Sequence, residues 1–351
     1  MEKPLNAPQP PAARPSQAAA AAGALRRTLA LGLLACVIAS LGLTAGTQAE
    51  PERPRSFSEQ ALNEAFATSR VLAAEAESLA ASLADPAAAA VQQAADTLTS
   101  QSLLLTSPGG AAALQDADGL GGESLPQALA ASARTNLAAA GRADHGTARL
   151  LASTGTSQLL LSLRTAQALG EDPVEVPESG WTPVLDGAAT DKCSGSSGSG
   201  PAEGPGAAES LQAVLDAEFG AAYAYEVAQA QFGSGFTVLG QAPSARREAH
   251  LEAGGEGTDL LPALCLPELT PVPAYFLAPE FLSDPLDSLQ LLEDGMPTLY
   301  ANLAGSSDGA VRSWAIDRLV ASSVLLYSGA AQIPVSPGLE AEPAALPWTT
   351  G

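Results

Sequence analysis

The feature that most constrains the fold of this chain is a run of twenty residues without a charged side chain, from Thr28 to Thr47. About twenty apolar residues are enough to cross a bilayer as a helix. The preceding residues 1–27 contain four basic side chains and one acid, and a basic flank stays on the cytoplasmic side. We therefore expect a cytoplasmic basic tail over residues 1–27, a transmembrane or signal segment over 28–49, and an extracytoplasmic location for the bulk of the chain.

The sequence leaves three fates open for this segment. As an uncleaved signal anchor it would hold the protein at the cell membrane through residues 28–47. Small residues end the segment at Thr47–Ala49, as they do before signal-peptidase sites, and cleavage there would give a secreted protein. Leu33–Cys36 loosely resembles a lipoprotein motif, which would instead attach a lipid to Cys36.

Composition favours helices in the rest of the chain. Of the 351 residues, 74 are Ala, the best helix former, and only 4% are aromatic. The formal net charge is −22, from 16 basic and 38 acidic residues. Because such an anionic surface repels phosphate, nucleic acid is excluded as a partner. The sequence predicts an all-α protein with an N-terminal membrane segment.

Two helical regions follow the membrane segment. Ser56 and Glu59 have the spacing of a capping box, and four amphipathic segments after it predict an Ala-rich helical bundle over residues 56–172. Residues 173–205 are rich in Pro, Gly and Ser, which is typical of a flexible linker. Four further helices are expected over 206–340, with a long Pro-rich crossover at 266–282 and a tail over 341–351. A long crossover of this kind occurs in ferritin-like four-helix bundles.

Short motifs in the second region resemble a known family. They are Glu218 with Ala222–Tyr225, then Arg247–His250, Leu261–Cys265, Pro273–Tyr275, Asp284–Pro285, Leu292–Gly295 and Pro337–Leu339. Over about residues 206–340 these motifs resemble an actinobacterial ferritin-like domain family of unknown function. The resemblance implies a second, ferritin-like four-helix bundle, and it carries no established activity.

Helical spacing brings one set of polar side chains onto the apolar stripes of these helices. Glu218 on the first helix and Glu293 on the third both lie at mid-helix on an apolar stripe, with His250 on the second helix and Arg318 on the fourth. A di-iron carboxylate site takes one Glu from each of two helices and Glu-x-x-His from each of the other two. The second requirement fails, since the fourth helix has no His. The pattern favours a structural cluster in which Arg318 neutralises the two acids, and a degenerate metal site is the alternative.

The cysteines give a further expectation. Cys36 belongs to the membrane segment, so Cys193 and Cys265 are the only pair beyond it. Two thiols in an oxidising compartment predict a Cys193–Cys265 disulfide, and two unrelated buried thiols are the alternative.

These observations predict a non-catalytic, membrane-anchored, extracytoplasmic helical scaffold or interaction protein of the cell envelope. No motif for a nucleophile or a phosphate-binding loop lies in a suitable context. No cofactor is therefore expected, and the partner is the membrane, with a protein partner or a second copy of the chain left open. The alternative is a ferritin-like metal-binding or redox protein, in which Glu218, His250 and Glu293 would hold iron or manganese.

Overall fold

The computed structural model describes residues 54–106, 123–172, 174–175, 206–268 and 274–339, and the backbone of 348–349. These residues are mostly helical, which confirms the all-α prediction. The predicted basic tail, the membrane segment, most of the linker, Cys36 and Cys193 lie outside the described residues. Within the part that the structure describes, no helix is both long and apolar enough to cross a membrane.

The region from residue 56 to 172 contains two helical hairpins, in which α1 packs on α2 and α3 packs on α4. The capping box at the start is present: Glu59 N donates to Ser56 Oγ at 3.2 Å, and Ser56 N donates to Glu59 Oε2 at 2.7 Å. The bounds are α1 (Phe57–Ala80), α2 (Ala87–Leu104), α3 (Leu125–Ala140) and α4 (His145–Leu169).

The second half repeats the hairpin arrangement with the long helices α5, α6, α8 and α9. A short 3₁₀ turn follows α6, and the crossover contains strand β1 and the short helix α7. Asp284 begins α8 as predicted, since its Oδ1 accepts from Asp287 N at 3.3 Å. The bounds are α5 (Ala207–Phe232), α6 (Pro243–Asp259), the 3₁₀ turn (Leu261–Leu264), β1 (Phe276–Leu277), α7 (Pro279–Ser283), α8 (Pro285–Ser306), α9 (Gly309–Tyr327) and β2 (Trp348–Thr349), with β1 and β2 antiparallel.

The two halves share a hydrophobic core, because α4 packs on α8 and α9 as well as on α3. Leu151 and Ala152 of α4 belong to the same buried cluster as Leu303 and Ala304 of α8. Burying these side chains together removes apolar surface that each bundle alone would leave in water. The described residues from Ser56 onward accordingly lie in one compact unit.

A buried polar network crosses the first half. The Gln158 side chain of α4 accepts from Ser132 (2.8 Å) and Asn136 (2.9 Å) of α3, and donates to Ser69 of α1 (3.2 Å) and Gln101 of α2 (3.1 Å). All five side chains are buried. Because every bond is buried and shared among four helices, the network fixes their relative register.

Two glycines explain why α6 packs closely against α5 despite its poor helix propensity. A Cβ at Gly257 would lie 2.7 Å from a methyl group of Leu215, and one at Gly254 would lie 2.9 Å from the ring of Phe219. Both distances are shorter than ordinary contacts of a Cβ atom, so a larger residue at either position would force Leu215 or Phe219 to move. The approach brings the polar residues of α6 into contact with those of α5 and α8.

Candidate functional site

Three of the four predicted site residues meet in the interior of the second half. Glu218 comes from α5, His250 from α6 and Glu293 from α8, and each is 2% exposed. At this depth an isolated carboxylate is strongly disfavoured unless it is paired and hydrogen-bonded. The bonding partners of each acid therefore decide what the cluster can do.

Glu293 is paired with Arg246. The guanidinium donates through Nε to Oε1 and through Nη2 to Oε2, both at 2.8 Å, which is the two-pronged geometry of a strong ion pair. The Tyr225 hydroxyl also donates to Oε1 of Glu293, at 2.6 Å. Sequence analysis did not assign this role to Arg246, which lies one turn before His250 on the same face of α6.

Glu218 is paired with His250. The imidazole Nδ1 lies 2.7 Å from Glu218 Oε2, and Nε2 lies 3.2 Å from Glu293 Oε1, so the ring bridges the two acids. Nε2 also lies 3.3 Å from Nη2 of Arg246. The Tyr300 hydroxyl donates to the other carboxylate oxygen of Glu218. The ring of Tyr225 stacks on His250, with 5.6 Å between centroids.

The charges within the cluster balance. Burial alone would lower the pKa of His250, but the adjacent carboxylates of Glu218 and Glu293 outweigh it and raise that pKa to about 9. Burial would raise the pKa of Glu293, but hydrogen bonds and charge from His250 and Arg246 hold it at about 2. At neutral pH two carboxylates thus face one imidazolium and one guanidinium.

The tyrosines reveal a sequence signal that our pattern analysis missed. Tyr225 follows Glu218 by seven residues, and Tyr300 follows Glu293 by seven. Seven residues are about two helical turns, so Glu and Tyr lie on one face of each helix. Each tyrosine bonds to the glutamate of the other helix, and the repeated Glu-x₆-Tyr spacing marks this crossed pairing.

Arg318 forms its ion pair with Glu256 and not with either of the two acids, which corrects the predicted pairing, although its charge still interacts with that of Glu218. Its Nε donates to Glu256 Oε2 at 3.1 Å and its Nη2 bonds to the same oxygen, to which Trp314 Nε1 also donates at 2.8 Å. Arg318 reaches across to α6 because Glu256, itself partly exposed, lies closer to its guanidinium than the cluster does. It nevertheless lines the same cavity, of about 200 Å³, as Glu218, His250 and Glu293.

The donor set does not fit the di-metal site that a ferritin-like bundle implies. A metal-binding imidazole must be neutral and offer a nitrogen lone pair, whereas both nitrogens of His250 lie against carboxylate oxygens. The guanidinium of Arg246 bonds to both carboxylate oxygens of Glu293. On α9, Arg318 stands at the position where a di-metal site would need an acid or a His. Among the residues that the structure describes, no group of three His, Cys, Asp or Glu side chains has the arrangement of a metal site.

Cys265 lies just after the 3₁₀ turn, with a left-handed backbone conformation (φ 57°). Cys193 lies outside the described residues, so the disulfide stays a prediction.

The comparisons with known proteins concern the second half. Residues 210–341 match a family model described as a domain of unknown function (DUF4439). The match covers less than half of the chain and supports the expected family of unknown function. No curated protein and no solved structure matches the chain.

Proposed function

We propose that this protein is a non-catalytic, membrane-anchored, extracytoplasmic helical scaffold or interaction protein of the cell envelope. In this proposal the second half is a ferritin-like four-helix bundle whose central cations are the protein's own Arg246 and His250. The single observation that carries it is the closed bonding of the cluster: each carboxylate is paired with a cation and accepts from a tyrosine.

A cluster whose carboxylates are all bonded within the protein is suited to a structural role rather than to catalysis. A catalytic carboxylate needs an accessible oxygen and a pKa near the working pH, whereas the pKa of Glu293 is held at about 2 by its cations. A buried ion pair with fully satisfied hydrogen bonds instead fixes the relative position of the helices that carry it. The cluster joins α5, α6 and α8, and Arg318 with Glu256 joins α9 to α6.

Metal analysis of the full-length protein, purified from membranes without chelator, tests the non-metal assignment. We expect no stoichiometric iron or manganese, and no rise in melting temperature when either ion is added. About two bound equivalents, together with a metal-dependent stabilisation that Glu218→Gln abolishes, would instead establish the ferritin-like metal protein.

The membrane part of the proposal rests on the uncharged run at 28–47 and its basic flank. A phosphatase reporter that is active only outside the cytoplasm, fused after Gly351, should be active. A matched fusion carrying Arg26→Glu and Arg27→Glu should lose activity, because the charge bias is removed. An inactive wild-type fusion would refute the orientation.

The predicted disulfide offers a separate check on the compartment. Mass spectrometry of exported protein under non-reducing conditions should identify a peptide pair linked through Cys193 and Cys265. Two alkylated thiols in exported protein would contradict the pairing.

A further inference from the structure

An open groove lies between α3 and α9, outside the polar cluster. Its volume is about 760 Å³, and Gln241 of the 238–241 turn lies at one end. We call it the α3–α9 groove, and its use as a site is independent of the function proposed above. It shares Gln241, Ala321 and Leu325 with the smaller polar cavity, so the two spaces adjoin.

The floor and walls of the groove are aliphatic. Leu137 projects from α3, and Ile316, Val320 and Val324 project from α9. Ile316 and Val320 are each only 6% exposed, so they form a floor beneath the groove rather than a surface patch. An apolar molecule placed there would remove this surface from water at about 25 cal/mol per Å².

The size of the groove favours a small molecule over a protein partner. Small-molecule sites have volumes of roughly 300–1,000 Å³, and this groove falls within that range. Twelve residues line it, whereas one side of a standard protein interface uses about 20–30.

One charged group in the wall lacks a partner. Asp317 of α9 is half-buried and makes no ion pair or hydrogen bond with any residue that the structure describes. Its chain neighbour Arg318 lies outside the groove lining and is bonded to Glu256 instead. Arg134 on the α3 side is exposed to water, which screens its charge. Burial raises the pKa of Asp317, with Glu256 adding to the effect and Arg318 opposing it.

We propose that the α3–α9 groove binds a small cationic amphiphile, with its apolar body against Leu137, Ile316 and Val320 and an ammonium group beside Asp317. The cation completes the charge balance of a half-buried carboxylate, and the net charge of −22 on the chain draws cations toward it.

The test uses heptyltrimethylammonium and octanoate as probes, because each has an alkyl chain of seven carbons. Binding to the full-length protein in lipid nanodiscs is titrated by ligand-observed NMR, and the signal from empty nanodiscs is subtracted. The cation should bind at least about tenfold more tightly than the anion, and Asp317→Asn should remove most of that difference. The matched control Asp259→Asn removes one exposed acid at the end of α6 and should leave both affinities unchanged.

A second variant tests the position of the site. Ala138 lines the groove and is exposed, so Ala138→Trp fills the groove without entering the core. It should abolish binding of both probes, while Thr135→Trp, on an exposed position of the same helix outside the groove, should not. The proposal is overturned if octanoate binds as tightly as the cation, if Asp317→Asn leaves the affinity for the cation unchanged, or if Ala138→Trp leaves binding intact.

Discussion

The Arg246→Met variant probes the charge balance of the cluster. Met keeps an unbranched apolar stem of similar reach and removes only the guanidinium. The variant loses both 2.8 Å bonds to Glu293 and leaves that carboxylate, 2% exposed, with His250 and Tyr225 as its remaining partners.

The expected cost follows from the burial of the pair. Removing one partner of a buried ion pair typically costs about 3–5 kcal/mol, because a charge is left uncompensated. Since Glu293 keeps the imidazolium and one hydroxyl donor, we expect the lower end, about 3 kcal/mol. The double variant Arg246→Met/Glu293→Gln removes the stranded charge and should recover about half of the loss.

The adjacent residue provides a matched control. Arg247 on the same helix pairs with Glu226 at 3.0 Å, but their side chains are 39% and 61% exposed, so Arg247→Met should cost less than about 1 kcal/mol. Urea denaturation followed by circular dichroism gives the free energy of unfolding for all four proteins. Equal costs for Arg246→Met and Arg247→Met, or no recovery in the double variant, would refute the reasoning.

Three further predictions concern stability, each measured by urea denaturation. The pKa of His250 is raised from 6.5 to about 9, so its contribution is complete below pH 6.5 and is lost as the pH rises through 9. This loss should reach about 3 kcal/mol and be absent in His250→Gln; a flat profile would contradict the assignment. Gln158→Leu should lower the free energy of unfolding by about 3 kcal/mol, because it leaves several buried polar groups unpaired, whereas Gln167→Leu on the exposed face of α4 should be near neutral. Equal effects of the two variants would show that the buried network does not stabilise the fold. Gly338→Ala should cost about 1–3 kcal/mol, since φ is +82° and the new Cβ would lie 2.6 Å from a carbonyl oxygen of α8. The control Gly329→Ala adds its Cβ in open space, and a tolerated Gly338→Ala would refute this account of the turn.

The sequence was sufficient to predict the helices, because the local signals for where they begin and which face they bury agree with one another. The capping box at Ser56 and the Asp284–Pro285 start of α8 are local features, so they can be read without tertiary structure. Glu218 and Glu293 were correctly placed in the interior because an apolar stripe with a 3.6-residue period fixes which face of a helix is buried.

The pairing of the charges could not be obtained in the same way. Arg246 and Arg318 both lie on inward-facing stripes, and the long arginine side chain reaches either neighbouring helix. The acid with which each arginine forms an ion pair depends on how closely α6 packs against α5. Gly254 and Gly257 allow that close packing, and the residues they contact are distant in sequence. The shared core of the two halves could not be predicted for the same reason. The helices α4 and α8 are distant in sequence, and only the folded structure shows that they pack together.

The protonation state of His250 tests the central claim most directly, because a cation-balanced cluster requires an imidazolium. The chain has two histidines, so nitrogen-15 NMR of the full-length protein, with His145→Gln for assignment, resolves its ring nitrogens. Both nitrogens of His250 should carry protons from pH 6 to 8, with deprotonation near pH 9, and added iron or manganese should change nothing. A neutral ring at pH 7, with Nε2 accepting from Arg246 or shifting on addition of metal, would contradict the account.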